Sequence, residues 1–214
     1  MTVSIARMSQ WHVAEIYEPD TWLPVPAEMT GPERTQWTRK VIESLRSSWG
    51  GEWQDEYAVV LVAALDGIAG TRQPGDGPLY LCWPLPAPMC MTIRINVFDS
   101  PLDREARPVQ GEAVYHEAPG LGPGVHHVRE RRDEILGHQM DLVAASFVFD
   151  DGRSTVVVET DEVPAAVANL VAPDLQRLVQ SLVLRGPDGL SFRALPPPTT
   201  LVDIDDRWEV KDGA

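Results

Sequence analysis

The sequence predicts an α+β domain in which an antiparallel β-sheet carries helices on one face. Three observations predict this class. The pair Asp151-Gly152 separates two β-rich runs, Met140–Phe149 and Ser154–Thr160, in the pattern of a β-hairpin. A stretch with helical spacing of apolar residues follows the hairpin. Earlier in the chain, Met89–Phe98 alternates between two faces as a half-buried strand does.

The hairpin turn is expected to set the register of its two strands. A type I′ turn needs positive φ at both central positions, which Asp-Gly accommodates. The expected cross-strand pairs are Asp150 with Arg153, Phe147 with Val156, and Ala145 with Val158. One face of the hairpin then carries the apolar side chains of Val143, Ala145, Phe147, Val156 and Val158. A slip of one residue would exchange the two faces, so the turn and the pattern agree.

The helical region after the hairpin is expected in two parts. Pro164–Val171 would form a short first turn, and Pro173 would lie in the opening turn of the main helix, where proline is tolerated. Gly186 and Pro187 would end that helix. Its apolar stripe consists of Leu175, Leu178, Val179 and Leu182. Burying the stripe contributes about 1.5–3 kcal/mol per large side chain, and the natural target is the apolar face of the hairpin.

Two further helices are expected in the first third of the chain. The first begins at Thr30-Gly31-Pro32-Glu33, which has the form of a capping box, continues to about Ser48 and ends at Gly50-Gly51. Glu52–Ile68 is the second, because its apolar residues keep helical spacing throughout. These residues are Trp53, Tyr57, Val60, Leu61, Ala64 and Ile68.

The remaining strands are expected around these helices. Val3–Met8 and His12–Tyr17 are predicted to pair, Asp20–Glu28 to form an entry loop, and Gly122-Pro123-Gly124 to form a turn. Further strands are predicted at Leu79–Trp83, Ala113–His116, Val125–Asp133 and, as a last edge strand, Leu190–Leu195. We expect one domain over residues 1–195, followed by a proline spacer and an acidic tail at 196–214.

Composition limits the classes of partner and compartment. The formal net charge of -14 argues against nucleic acid or an anionic membrane surface as the main partner. No segment approaches the roughly 20 apolar residues of a membrane helix, and Met1–Ser9 has no apolar signal region. Two cysteines, Cys82 and Cys90, are too few for a disulfide scaffold; a redox pair across the proline turn is the alternative to two thiols. We expect a cytoplasmic protein.

Two regions carry a resemblance to known proteins. The Trp- and Pro-bearing segment Glu18–Ser48, followed by Leu79-Tyr80-Leu81 and Pro84-Leu85-Pro86, resembles an uncharacterised actinobacterial family often encoded near type VII secretion genes. The hairpin and helix at 138–184 resemble the last part of PsbP-like domains, where a strand, a turn, a strand and a helix close an antiparallel sheet. The resemblance implies a PsbP-like fold and a genomic setting, and it supplies no catalytic residue.

The candidate binding residues lie in a basic strand and in the tail. On a strand, His127, Arg129 and Arg131 share a face that could receive a carboxylate-rich partner, a phosphate or the acidic tail. The alternative is an edge strand protected by charges. The tail carries the short apolar anchors Leu201, Ile204 and Trp208. It is either a segment that folds on binding a partner or a solubilising end.

Motifs for catalysis or metal binding are absent from the sequence. There is no G-x-S-x-G, P-loop or G-x-G-x-x-G motif in a suitable setting. His126 and His127 are adjacent on a predicted strand and would point to opposite faces, so they would not share a metal. We therefore predict no catalytic residue, no metal site and no cofactor.

Three hypotheses for function follow. The first is a non-enzymatic cytoplasmic accessory or adaptor protein, linked to type VII secretion or a similar assembly, with a protein partner. The second is a small-molecule-binding domain or hydrolase with an unrecognised pocket, lined first by His116, His127, Arg94 and Arg129. The third is a homo-oligomeric structural component. A deep pocket with convergent polar groups would favour the second hypothesis.

Overall fold

The computed structural model describes residues 11–19, 21–101, 112–135 and 138–197. These residues form antiparallel sheets and three helices, which confirms the α+β class. The helices are α1 (Gly31–Trp49), α2 (Asp55–Gly70) and α3 (Ala165–Ser181). The strands are β1 (His12–Glu15), β2 (Trp22–Pro24), β3 (Leu79–Cys82), β4 (Met91–Phe98), β5 (Glu112–Ala118), β6 (Gly122–Ile135), β7 (His138–Asp150), β8 (Thr155–Thr160), β9 (Val163–Pro164) and β10 (Val183–Arg185). Within the described ranges, no helix combines the length and apolarity needed to cross a membrane.

The larger sheet has the strand order β2-β3-β4-β8-β7-β6-β5, and β9 pairs with β7 beside this path. The predicted strand His12–Tyr17 is confirmed as β1, which pairs with β10 in a small second sheet. Its predicted partner Val3–Met8 lies outside the described residues. The predicted entry loop Asp20–Glu28 contains β2, because Trp22–Pro24 pairs with β3 and buries Trp22 in the core.

Helices cover both faces of the sheet, so the prediction of helices on one face is wrong. α3 packs with the odd-numbered residues of β4, among them Ile93 and Ile95. α1 and α2 pack on the opposite face, against Leu79 and Leu81. The reason lies in β3, whose four side chains are all buried, so it needs an apolar layer on each side. On this second face, β8, β7 and β6 carry many polar side chains.

The hairpin forms, but in a different register from the predicted one. Phe147 lies opposite Val158, and Asp150 lies opposite Thr155, a shift of two residues from the predicted pairs. The connection therefore spans Asp151–Ser154, where the Asp151 carboxylate accepts hydrogen bonds from the backbone N–H groups of Arg153 and Ser154. A shift of two keeps every side chain on its predicted face. Phe147, Val156 and Val158 accordingly lie in the core.

The region after the hairpin is one continuous helix rather than two parts. α3 begins at Ala165 and contains Pro173 in its interior, although an interior proline costs about 3 kcal/mol. Both halves of the helix bury apolar side chains, and this burial offsets the cost. The buried residues are Val167, Val171, Leu175, Leu178 and Val179. The predicted packing of this stripe on the hairpin is confirmed, because these residues share one core with Phe147 and Val158. The helix ends at Ser181, before the predicted stop at Gly186.

The first two helices agree with the prediction. The Thr30 N–H donates to the Glu33 carboxylate at 2.8 Å, as in a capping box, and Gly50 with φ of 50° ends α1. α2 follows a short 3-10 turn at Gly50–Glu52. The interhelical hydrogen bond from the Thr38 hydroxyl to Asp66 is 2.8 Å long.

Two local predictions later in the chain are wrong. Gly122-Pro123-Gly124 belongs to β6 and pairs with the end of β5. On the other side of β6, Gly124 has no side chain and so allows the close approach of Phe149 from β7. Leu190–Leu195 forms no strand beyond one bridge between Arg185 and Ser191. Its backbone N–H groups instead bond to separate elements, such as that of Ala194 to the carbonyl of Leu121. The predicted strands at 79–83, 113–116 and 125–133 are confirmed as β3, β5 and β6.

Candidate binding surfaces

The predicted basic residues share one face of β6. His127, Arg129 and Arg131 lie opposite alternate residues of β7, namely Ser146, Ala144 and Leu142. The strand is interior at His127, because β5 pairs on its other side as far as Val128. From Arg129 onward, β6 is paired on one side only within the described residues. The alternative of a charge-protected edge therefore applies to the arginines and not to His127.

Glu162 occupies the space between the two arginines. Its carboxylate lies 3.0 Å from Arg129 Nη2 and 2.9 Å from Arg131 Nη2. Arg131 also contacts Asp133 at 2.6 Å. The hydrogen bond from Arg131 is the main cause that lowers the pKa of Glu162. A ligand for this basic face would have to displace the carboxylate of Glu162 from the two arginines. The partner site predicted for His127, Arg129 and Arg131 stays a prediction. The other predicted anchors, Leu201, Ile204 and Trp208, lie outside the described residues.

The four residues first suspected for a pocket are not brought together. His127 and Arg129 line one shallow cleft of about 120 Å³, with Glu159 and Ser146. Arg94 lines a different cleft. His116 is buried on the opposite face of the sheet, where its ring lies 4.9 Å from that of Phe147. Among the described residues, no group of three or more His, Cys, Asp or Glu side chains converges as a metal site.

A cleft of about 270 Å³ lies between α3 and strands β6 and β7. Three of the residues with which α3 lines the cleft are alanines, and these small side chains leave the sheet partly uncovered. The alanines are Ala165, Ala168 and Ala172. Five polar side chains, those of His126, Glu130, Thr160, Asn169 and Gln176, also line the cleft. Burial lowers the pKa of His126 to about 4, so its ring is neutral at pH 7.

α2 has an exposed apolar face that points away from the sheet. Val59, Val60 and Val62 are 76%, 53% and 40% exposed, and Ala63, which follows Val62, is exposed as well. The buried residues Leu61, Leu65 and Ala69 lie on the other side of the helix. Val60 belongs to the apolar residues with helical spacing in the sequence, but it lies on the exposed side of the helix. We call Val59, Val60, Val62 and Ala63 the valine face.

A second cleft, of about 460 Å³, lies where the loop after α2 crosses the polar face of the sheet. Arg72 from the loop and Arg94 from β4 both line it, together with Asp76, Asn96 and Glu159. The Arg72 side chain is only 9% exposed. Burial is the main cause that lowers the pKa of its guanidinium, followed by opposing effects of Asp76 and Arg94.

The two cysteines are free thiols. Cys82 belongs to the core under α3, whereas Cys90 packs against the core under α1 and α2. Burial raises the pKa of Cys82 to about 12 and that of Cys90 to about 11.

Comparison of the chain with models of known protein families, with curated proteins and with solved structures found no match. The site residues therefore have to be found from geometry alone. Sequence reasoning missed Arg72 and the valine face. The valine face has a sequence signal, because α2 is apolar on nearly all sides, as residues 58–65 show. Arg72 has none, because its burial depends on the sheet that packs against its loop.

Proposed function

We propose that this chain is a non-enzymatic accessory protein that binds another protein through the valine face of α2. The proposal keeps the expectation of a cytoplasmic adaptor linked to type VII secretion or a similar assembly. It also keeps the kinship with PsbP-like domains, which is supported by the hairpin and α3 closing an antiparallel sheet. The single observation that carries the proposal is the exposure of three neighbouring valines on one helix.

The valine face differs from scattered apolar residues on a surface. Val59, Val62 and Ala63 follow one another at i, i+3 and i+4, so their side chains form one strip along the helix. β-Branched residues are poor helix formers, so solvent-exposed valines are not explained by helix propensity. A contiguous apolar strip on a folded surface is typical of an interaction site.

The partner expected here is an amphipathic helix with basic residues beside its apolar stripe. Glu56 and Asp66 are exposed acidic residues of α2, one toward each end of the valine face, and Asp66 also accepts a hydrogen bond from Thr38 of α1. The net charge of -14 makes association with a second copy of this chain electrostatically unfavourable. When one helix packs on another protein, apolar side chains at this spacing anchor the contact. Acidic residues at the two ends of the valine face favour a partner helix whose apolar stripe is flanked by lysine or arginine.

The test uses a designed helical peptide with a leucine stripe flanked by lysines, labelled for fluorescence anisotropy. We expect saturable binding to the full chain. Val59→Gln combined with Val62→Gln should weaken binding at least about tenfold, because two apolar anchors are lost while the charge of the helix is unchanged. Both positions are exposed, so the variant should unfold at the same temperature as the wild type.

Two controls make the result specific. Leu190 is 69% exposed on the loop after β10, and Leu190→Gln should bind the peptide like the wild type. A peptide with glutamates in place of the lysines should bind much more weakly. Equal binding of the two peptides, or equal binding by the valine variant, would contradict the proposal. A dimer by light scattering that the valine variant abolishes would show a second copy as the occupant instead.

A second candidate function is supported by the cleft under α3. We infer a small, mostly apolar ligand there, because apolar walls with a few polar groups are typical of ligand sites. The neutral dye N-phenyl-1-naphthylamine is a suitable probe. We expect saturable fluorescence enhancement by the wild type and its loss in Ala172→Phe, which fills the cleft. Gln180→Phe on the exposed side of α3 is the matched control. Unchanged enhancement by Ala172→Phe would rule the cleft out.

A further inference from the structure

We propose that Arg72 and Arg94 form a binding site for a small oxyanion, either a carboxylate or a phosphate group. The site is the cleft between the loop after α2 and strands β4 and β8. It is separate from the valine face, which is on the outer side of α2, so each proposal can fail without the other.

Arg72 is a buried cation with incomplete pairing. Its Nε is buried and has no hydrogen-bond partner in the part of the chain that the structure describes. The paired carboxylate belongs to Asp76, whose Oδ2 lies 3.7 Å from Arg72 Nη1. That same oxygen already accepts the Gln73 N–H at 2.7 Å. Burying a charge without full pairing is costly, so an oxyanion that accepts from Arg72 would relieve a defect of the folded chain.

Arg94 brings a second guanidinium to the same cleft. It projects from β4 between Leu79 and Glu159, on the face not covered by α3. Among the described residues Arg94 forms no ion pair. The neighbouring carboxylate of Glu159 accepts a hydrogen bond from the Asn96 amide at 3.1 Å. Two guanidinium groups that line one cleft can bind an oxyanion in the fork geometry that carboxylate and phosphate share.

The charges and the volume of the cleft indicate what kind of anion it can bind. Arg72 and Arg94 are balanced by Asp76 and Glu159, so the cleft is close to neutral. A cleft that is close to neutral gives a polyanion such as nucleic acid no net electrostatic attraction. A single oxyanion can sit between the arginines. The volume of about 460 Å³ exceeds that of one such group, so we expect it to be the headgroup of a larger molecule.

The experiment follows the Nε–H resonances of the arginines by NMR in the full chain. One arm adds sodium phosphate, another sodium acetate, and sodium chloride at equal ionic strength is the reference. We expect the Arg72 Nε–H signal to shift saturably with phosphate, acetate or both, beyond the chloride effect. A response to phosphate alone assigns a phosphate site, and a response to acetate alone a carboxylate site. No saturable shift in either arm would overturn the proposal.

Three variants locate the binding. Arg94→Gln should weaken binding by about tenfold or more, since it removes a charged hydrogen-bond donor. Arg94→Lys keeps the charge without the fork and should have intermediate affinity. Arg129→Gln, in the basic face already paired with Glu162, should bind like the wild type. Wild-type affinity in both Arg94 variants, or loss of binding in Arg129→Gln, would overturn the assignment.

Discussion

His126 stacks on Phe147, with ring centroids 4.2 Å apart and an angle of 7° between the planes. The two residues lie opposite each other on β6 and β7, so the ladder itself brings the rings together. His126 is 4% exposed, and burial is the main cause that lowers its pKa to about 4. His116 lies beside it, and burial lowers its pKa too. The imidazole of His126 is therefore a neutral packing group under α3.

The first prediction concerns acid stability. The unfolded chain binds a proton at His126 below about pH 6.5, whereas the folded chain does so only near pH 4. Stability from this residue is therefore complete above pH 6.5 and is lost as the pH falls toward 4, by up to about 3 kcal/mol. His126→Phe should flatten this part of the curve of unfolding free energy against pH, measured by urea denaturation. Leu170→Phe, at an exposed and non-titrating position of α3, should keep the wild-type slope. A wild-type slope in His126→Phe would contradict the assignment.

The second prediction concerns the close packing of β6 against β7 at Gly124. A Cβ at Gly124 would lie 2.6 Å from the Val148 carbonyl oxygen and 2.5 Å from Phe149 Cδ1. Gly124→Ala should therefore destabilise the fold by about 1–3 kcal/mol. Gly67 in α2 has nothing within 4 Å of its added Cβ, so Gly67→Ala should stabilise by about 0.5–1 kcal/mol. Opposite signs in thermal unfolding are expected, and equal effects would contradict the packing.

The third prediction concerns the two sides of α3. Leu178 is fully buried against the hairpin, and Leu178→Ala should cost about 2–5 kcal/mol. Leu170 on the same helix is 54% exposed, so Leu170→Ala should change stability by no more than about 0.5 kcal/mol. Chemical denaturation of both variants measures the difference. Similar losses at the two positions would mean that α3 presents a different face to the sheet.

The fourth prediction concerns thiol reactivity. The raised pKa values of Cys82 and Cys90 leave little thiolate at pH 8. Both should react with Ellman's reagent at least about a hundredfold more slowly in the folded chain than in urea. Rapid reaction of either thiol in the folded chain would show that its burial is lower than described.

The elements that the sequence predicts well are those with one strong periodicity. The alternation of β4 has period 2 over eight residues, and its odd-numbered residues are buried as expected. The capping box of α1 is a local pattern and is found where predicted. In α2, by contrast, the pattern gave the helix but not its orientation. Nearly every side of it is apolar, so helical spacing alone does not separate the exposed Val60 from the buried Leu61.

The errors arise where a side chain or distant packing decides the outcome. The hairpin register depends on the carboxylates of Asp150 and Asp151, which accept backbone N–H groups and hold a four-residue connection. The prediction of a two-residue turn from the Asp-Gly pair does not take these side-chain hydrogen bonds into account. Pro173 stays inside α3 because burial on both sides of it outweighs the lost hydrogen bond. The cleft of Arg72 and Arg94 joins residues from a loop and a strand, which only the folded sheet brings together.

The most direct test of the central claim is methyl NMR of the full chain, titrated with the lysine-flanked helical peptide. Our account predicts saturable shifts of the exposed Val59, Val60 and Val62 methyl groups. The buried Val156 and Val158 methyl groups should not move. Shifts that leave the three exposed valines unmoved, or no shifts at all, would contradict the claim that α2 is the protein-binding face.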